Sequence, residues 1–216
     1  MKILITAGPT REAIDPVRYI SNRSSGKMGY AIAEAAVAAG HEVILISGPV
    51  ALSAPEQAHL TQVTTAEEMY AAVANQIGEQ VDLAVFCAAV ADYRPVEAAE
   101  QKIKKSHAEQ MTLVLEKTRD ILANVRGKMN FPGLLVGFAA ETNDLEKHAR
   151  DKLSKKKCDL IVANLVNDPE TGFDVDENEL QLFYADGQSE KMPRQTKTLL
   201  AEKLIEIFAK LGEARS

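Results

Sequence analysis

Apolar residues along the chain gather in short, almost unbroken runs at Lys2–Thr6, Glu42–Ser47, Asp82–Ala88, Leu134–Phe138 and Asp159–Ala163. Strands that are apolar at nearly every position are buried on both faces, so these runs predict a parallel sheet covered by helices on each side. A weaker strand is expected at Leu60–Thr64. The intervening segments switch to a period near 3.6. Met28, Ala31, Ile32, Ala35 and Ala36 share one face of a helix over Met28–Ala39, which follows Ser24-Ser25-Gly26 and stops at Gly40. Thr65-x-x-Glu68 has the pattern of a capping box. It opens a helix between Thr65 and Gln80 with Met69, Ala72, Val73 and Ile77 inward. Asn143 is expected to cap a third helix, and Leu200, Leu204, Ile207, Phe208 and Leu211 form the apolar stripe of a last one.

The alternation of strand and helix predicts an α/β fold: a Rossmann-like, doubly wound, mostly parallel sheet with right-handed crossovers. Two segments add to it. Met111–Glu116 reads as an extra strand, and Glu179–Tyr184 with Ser189–Met192 flanks Ala185-Asp186-Gly187-Gln188 as a β-hairpin. No repeat, low-complexity tract or linker divides the 216 residues, so one domain over residues 1–216 is expected.

Charge narrows the partners. A net charge of -6 argues against nucleic acid or an anionic membrane as partner, since both require a basic face. With 5% aromatics and no tryptophan there is no stacking platform for single strands. Any anionic ligand must therefore be held by local positive charge. Cys87 and Cys158 lie in apolar runs rather than in ligand spacing, which fits reduced core thiols and a cytoplasmic location. No run is long enough for a membrane span, and the opening residues turn polar too soon for a signal peptide.

Candidate chemistry begins in the stretch from Gly8 to Gly29, which is long for a connection in an open α/β sheet. It leaves the carboxyl end of the first strand, where ligands of doubly wound folds bind. It then feeds a helix through Ser24-Ser25-Gly26-Lys27-Met28-Gly29, whose first free amides suit a phosphate. Arg11, Arg18, Arg23 and Lys27 are candidate cationic donors. Taken alone, Gly-x-x-Gly before a helix fits a tight turn equally well. A phosphate-binding P-loop is excluded because Ser21 and Met28 stand where it needs Gly and Ser or Thr. A dinucleotide site would place an acid after the second strand, where Ile46-Ser47-Gly48-Pro49 has none.

Ile20-Ser21-Asn22-Arg23-Ser24-Ser25-Gly26-Lys27-Met28-Gly29 resembles the signature of the phosphopantothenoylcysteine synthetase family, found also as the C-terminal half of the bacterial bifunctional flavoprotein of coenzyme A synthesis. The resemblance implies that Asn22, Arg23, Ser24 and Gly26 bind phosphopantothenate and that Asn22 supports breakdown of an activated acyl intermediate. A neutral amide can donate to a developing oxyanion without neutralising a nearby base.

A second match is Ala88-Ala89-Val90-Ala91-Asp92-Tyr93 followed by Lys102-Ile103-Lys104-Lys105. On composition alone that lysine cluster reads as a solvated loop. The resemblance assigns Ala88, Ala89 and Asp92 to nucleotide binding and Lys102 to the triphosphate as a catalytic lysine. The third match is Gly137-Phe138-Ala139-Ala140-Glu141-Thr142. It precedes a helix on which Lys152 and Lys156 lie four residues apart on one face. Lysines at a helix C-terminus are favoured by the dipole in any case, but the family implies that Phe138, Lys152 and Lys156 hold the nucleotide. Arg119, Asp120, Ile121 and Leu122 occupy the place of a further nucleotide segment, with Arg119 where bacterial relatives carry proline. Asp168, Pro169 and Gly172-Phe173 extend the likeness over nearly the whole chain.

What the resemblance implies is a CTP-dependent ligase that joins 4'-phosphopantothenate to cysteine through an acyl-cytidylate, with Mg²⁺ accompanying the nucleotide. It also implies a homodimer, with the 179–192 hairpin a candidate interface, and a possible fusion with a flavin-dependent decarboxylase. A short-chain oxidoreductase is the competing reading of the fold. It requires Tyr-x-x-x-Lys, and none of Tyr19, Tyr30, Tyr70, Tyr93 and Tyr184 has a lysine four residues on. A non-catalytic nucleotide-binding subunit is the third reading.

Overall fold

A computed structural model describes residues 1–78, 80–104, 110–165 and 175–214. The chain forms β1 (Lys2–Ala7), β2 (Arg11–Ala13), β3 (Tyr19–Ser21), α1 (Lys27–Ala38), β4 (Glu42–Ser47), β5 (Ala58–Gln62) and α2 (Ala66–Gln76). After these come β6 (Leu83–Phe86), β7 (Tyr93–Pro95), β8 (Leu115–Lys117), α3 (Ile121–Gly127), β9 (Leu134–Glu141) and α4 (Leu145–Lys156). The last elements are β10 (Leu160–Leu165), β11 (Glu177–Tyr184), β12 (Ser189–Thr196) and α5 (Lys197–Glu213).

Eight strands make one sheet in the order β12-β11-β10-β9-β6-β1-β4-β5. The six from β10 to β5 run parallel, and β11 and β12 are added antiparallel. From β1 the chain winds outward through β4 to β5, then returns to the other side of β1 and winds through β6, β9 and β10. The winding direction therefore reverses between β1 and β6, and the crevice beyond their carboxyl ends is where such a sheet binds ligands.

Two cores follow from the two faces. Tyr30, Ile32, Leu200, Leu204 and Phe208 from α1 and α5 pack on one face with Ile3, Ile5 and Val85. Met69, Val73, Leu122 and Ala149 from α2, α3 and α4 pack on the other with Leu4, Ala84 and Leu135. The predicted capping box is present: the Glu68 amide donates to Thr65 Oγ1 at 3.1 Å, and the Thr65 amide donates to Glu68 Oε2 at 3.3 Å.

Several expectations need correction. The helix predicted to start at Asn143 is preceded instead by Asp144, left-handed at φ 47°, and has no side-chain cap. The extra strand predicted over Met111–Glu116 shrinks to Leu115–Lys117. Its partner β7 is three residues long and ends at Pro95, which has no amide to extend the ladder. The strand predicted to reach Ala88 ends at Phe86, where the Cys87 and Ala88 amides turn to Thr6 O and Thr6 Oγ1. The long first connection contains the antiparallel ribbon β2–β3. Lys105, Asp168, Pro169, Gly172 and Phe173 lie outside the described residues. No helix among those described is long and apolar enough to cross a membrane.

Candidate active site

Beyond the carboxyl ends of β1, β6 and β9 lies a cleft of about 640 Å³. One wall is the start of α1. Gly26 sits at φ 80° as its N-cap, and a Cβ there would meet Val50 Cγ1 at 2.8 Å. Three residues on, a Cβ on Gly29 would stand 2.6 Å from Ala7 Cβ, so glycine lets α1 press directly on β1 and brings its first amides to the sheet edge.

The loop before α1 is stitched to the end of β6. Thr10 N donates to Ala89 O at 3.3 Å, Ala91 N donates to Thr10 Oγ1 at 3.0 Å, and Ser21 Oγ donates to Thr10 O at 2.7 Å. Asn22 completes the seam, with Nδ2 donating to Ala89 O at 2.9 Å and to Val90 O at 3.1 Å. Both acceptors are carbonyls, so the amide nitrogen must face them and Oδ1 is left as the other polar atom of the side chain. Asn22, Ser24 and Gly26 line the cleft together with Ala88, Ala89 and Asp92.

The far wall carries positive charge over the sheet edge. Asp120 caps α3 by accepting from Ala123 N at 2.9 Å, and its other oxygen accepts from Lys156 on α4. Burial raises the Asp120 carboxyl, but the Lys156 ammonium and the Ala123 amide outweigh it, so the group is held below its usual range. Lys152 Nζ donates to Phe138 O at 2.6 Å, and burial against the sheet lowers its pKa. Ile121, Leu122 and Phe138 add apolar surface, and Arg119, which also lines the cleft, pairs with Glu67 at 3.2 Å and lies over the Tyr70 ring.

Two expected site residues stand apart: Arg23 and Lys102 are exposed and do not line the cleft. Two of the proposed cationic donors are occupied elsewhere, Arg11 over the Tyr19 ring and Arg18 on Asp15. Lys27 lines the cleft and pairs with Asp176 at 2.8 Å. Among the cleft residues that escaped the sequence reading are Asn164, Asn178 and Lys197, all buried. Lys197 was detectable in principle, since a lysine in the first turn of a helix opposes the dipole. Asn164 interrupts an apolar run, which is a similar signal. Burial pushes the thiols of Cys87 and Cys158 up to about 12, which leaves them unreactive, and neither forms a disulfide.

Among the described residues no three His, Cys, Asp or Glu side chains are grouped to hold a metal ion. A hard cation that keeps its waters and binds polyphosphate needs no such cage, so the cleft is compatible with Mg²⁺ carried in on a nucleotide.

The family described as DNA/pantothenate metabolism flavoprotein C-terminal domain matches residues 1–211. The chain belongs to this family. The coenzyme A biosynthesis bifunctional protein CoaBC of Vibrio vulnificus is 49% identical over 204 residues, covering 94% of this chain and 50% of that protein. Its Escherichia coli counterpart is 48% identical over 208 residues, covering 95% and 51%. The chain thus spans about half the length of the curated relatives it matches. The crystal structure of the C-terminal domain of a coenzyme A biosynthesis bifunctional protein CoaBC superposes with a TM-score of 0.80 at 43% identity, covering 98% of this chain and 96% of that one. Asn22, Asp120 and Lys156 all line one cleft.

Proposed function

We propose that the chain is the phosphopantothenoylcysteine synthetase domain of coenzyme A biosynthesis, a ligase joining 4'-phosphopantothenate to L-cysteine with CTP as co-substrate. The observation that carries the reading is the cleft itself, which is lined by Asn22 as well as by Lys152 and Lys156. The family membership and the CoaBC relatives support it.

In this reading a carboxylate oxygen of phosphopantothenate attacks the α-phosphorus of CTP, the bond to the β-phosphate oxygen breaks, and pyrophosphate leaves. The cysteine amine then attacks the acyl carbon and loses a proton, and CMP departs with the former carboxylate oxygen. Neither step needs a protein nucleophile; positioning and charge neutralisation suffice. Ala88, Ala89 and Asp92 with Arg119 to Leu122 and Phe138 surround the base and ribose. Lys152, Lys156 and Lys102 balance the phosphates. Arg23, Ser24 and Gly26 hold phosphopantothenate. Mg²⁺ would enter on the triphosphate and neutralise part of its charge.

Asn22 acts differently from the donor its residue type suggests. With both amide hydrogens directed at Ala89 O and Val90 O, the atom it offers to the acyl intermediate is the acceptor Oδ1, suited to orienting the incoming amine.

The same reading includes a homodimer. Val17, Tyr19, Val96 and Val114 are half or more exposed on or beside the β2–β3 and β7–β8 ribbons, an apolar surface suited to a second copy. It also includes a cytoplasmic location, residues 1–216 as one ligase domain, and linkage to or action before a flavin-dependent decarboxylase.

The test is pyrophosphate release with phosphopantothenate and each of the four nucleoside triphosphates, without and then with cysteine. Release with CTP before cysteine is added, and peptide formation only after, is expected. No release with any nucleotide, with substrate present and protein folded, refutes the ligase reading in favour of a non-catalytic subunit.

A further inference from the structure

Asp15 lies in the turn between β2 and β3, outside both hydrophobic cores, among neighbours Pro16, Val17 and Arg18 that are all exposed. Its own side chain has no solvent exposure. Oδ1 accepts from Val17 N at 2.9 Å and Arg18 N at 2.8 Å. Oδ2 accepts from Arg18 Nε at 3.0 Å, from Arg18 Nη2 at 2.5 Å and from Ile103 N at 3.1 Å. A buried carboxylate so fully satisfied is costly to disturb, and it stays charged because the Arg18 guanidinium holds its pKa far below the usual range.

The contacts reach across 88 residues of sequence. While Ile103 N donates to Asp15, Ile103 O accepts from Arg18 Nη2 at 3.1 Å, so both backbone groups of one loop residue are held by one ion pair. Ala99 N donates to Ile14 O at 2.9 Å and fixes the other end of the segment. Between these two anchors sits Lys102, exposed and with no hydrogen bond or ion pair among the described residues. A flexible lysine is placed by its backbone, and here the backbone on its C-terminal side is clasped.

We propose that Asp15, through Arg18, is a positioning residue whose task is to hold the 99–103 segment so that Lys102 is presented to the nucleotide phosphates. The inference rests on the reading of Lys102 given above. It accounts for a buried carboxylate outside both cores, and it joins the acyl-binding loop to the lysine loop mechanically.

The experiment is a double-mutant cycle between Asp15→Asn and Lys102→Gln on the full chain, reading the CTP dissociation constant and the rate of pyrophosphate release. Asparagine keeps an acceptor for the Val17 and Arg18 amides and loses the charge. If Asp15 acts through Lys102, Asp15→Asn weakens CTP binding and slows release by about tenfold or more when Lys102 is present, and by less than about twofold in the Lys102→Gln background. Equal losses in both backgrounds overturn the inference and leave the Lys102 assignment standing. Full CTP binding and release by Lys102→Gln alone overturns both. Should Asp15→Asn fail to fold, Arg18→Lys takes its place: it keeps the carboxylate paired but cannot also span the Ile103 carbonyl, and the same two outcomes apply.

Discussion

Replacing Asn22 by aspartate tests the seam between the first loop and the central strand. The change removes two N–H donors that now reach Ala89 O at 2.9 Å and Val90 O at 3.1 Å, and sets a carboxylate against those carbonyls. Each such bond contributes about 0.5–1.5 kcal/mol net. Because Asn22 is exposed, water can replace part of what is lost, and the expected cost is about 1–2 kcal/mol at neutral pH, or a melting temperature lower by roughly 3–6 °C for a chain of this size. The introduced carboxyl faces two carbonyl oxygens, so its folded pKa lies above the unfolded value of about 3.9. Its protonated form can donate a hydrogen bond and its ionised form cannot. The deficit relative to wild type is therefore smallest below that unfolded value and grows as pH rises through the folded one. Thermal melts of both proteins between pH 3.5 and 8 read this directly. In the ligase assay the same variant is expected to release pyrophosphate yet form product slowly, since the acceptor that orients the amine has lost its anchor. Parallel stability curves with a constant gap at every pH, or normal product formation, would refute the reasoning.

Gly29→Ala forces a methyl group to within 2.6 Å of Ala7 Cβ, so α1 must move off β1 at a cost of about 1–3 kcal/mol; Gly78→Ala, with nothing within 4 Å, is the neutral control in the same melting experiment. Lys152→Met should leave the fold at least as stable at pH 7 while weakening CTP binding by about tenfold or more, measured by calorimetry. Because burial depresses the folded pKa of Lys152 below the ordinary value of 10.5, wild type gains stability as pH rises toward that value, and the methionine variant should lack this gain. Asp120→Asn retains an acceptor for Ala123 N and should cost less stability than Asp120→Ala, which loses the α3 cap for about 1 kcal/mol; urea denaturation separates them. The carboxylate contribution that asparagine lacks is present above the ordinary value of 3.8 and is lost as pH falls through the lower folded one.

How much of this was legible in the chain depends on burial. β1, β4, β6, β9 and β10 were detectable because strands covered on both faces must be apolar at nearly every position, and the doubly wound, mostly parallel class of the sheet followed from the alternation with helices, whereas the strand order came from the structure. The ribbons β2–β3 and β7–β8 were not. Each strand is three residues long, and residues such as Tyr19, Arg94 and Glu116 are exposed, so no face imposes a period of two. α3 escaped because seven residues are too few for a helical stripe, although Asp120 before Ile121 is a usable cap signal. At the site, glycines, alanines and cations carried their chemistry visibly in the sequence. What could not be seen was which cations already have partners: Arg18 is engaged by Asp15 three residues before it, and Lys156 by Asp120, 36 residues before it on another element.

That distinction bears on how the cleft works. Lys156 is held by Asp120 on α3, and Lys152 by the Phe138 carbonyl at the sheet edge, so both ammonium groups are pre-set before any ligand arrives. Pre-set charge stabilises a polyphosphate without the entropy cost of ordering long side chains. Lys102 has no such partner among the described residues, and its loop instead is held through the backbone of Ile103. In the proposed reaction a lysine on a segment held by its backbone is suited to follow the joined β- and γ-phosphates as they leave the α-phosphorus. A lysine locked in an ion pair would first have to break it. Under the proposed function the cations thus divide into Lys152 and Lys156, which bind the nucleotide in place, and Lys102, which follows its charge as the bond breaks.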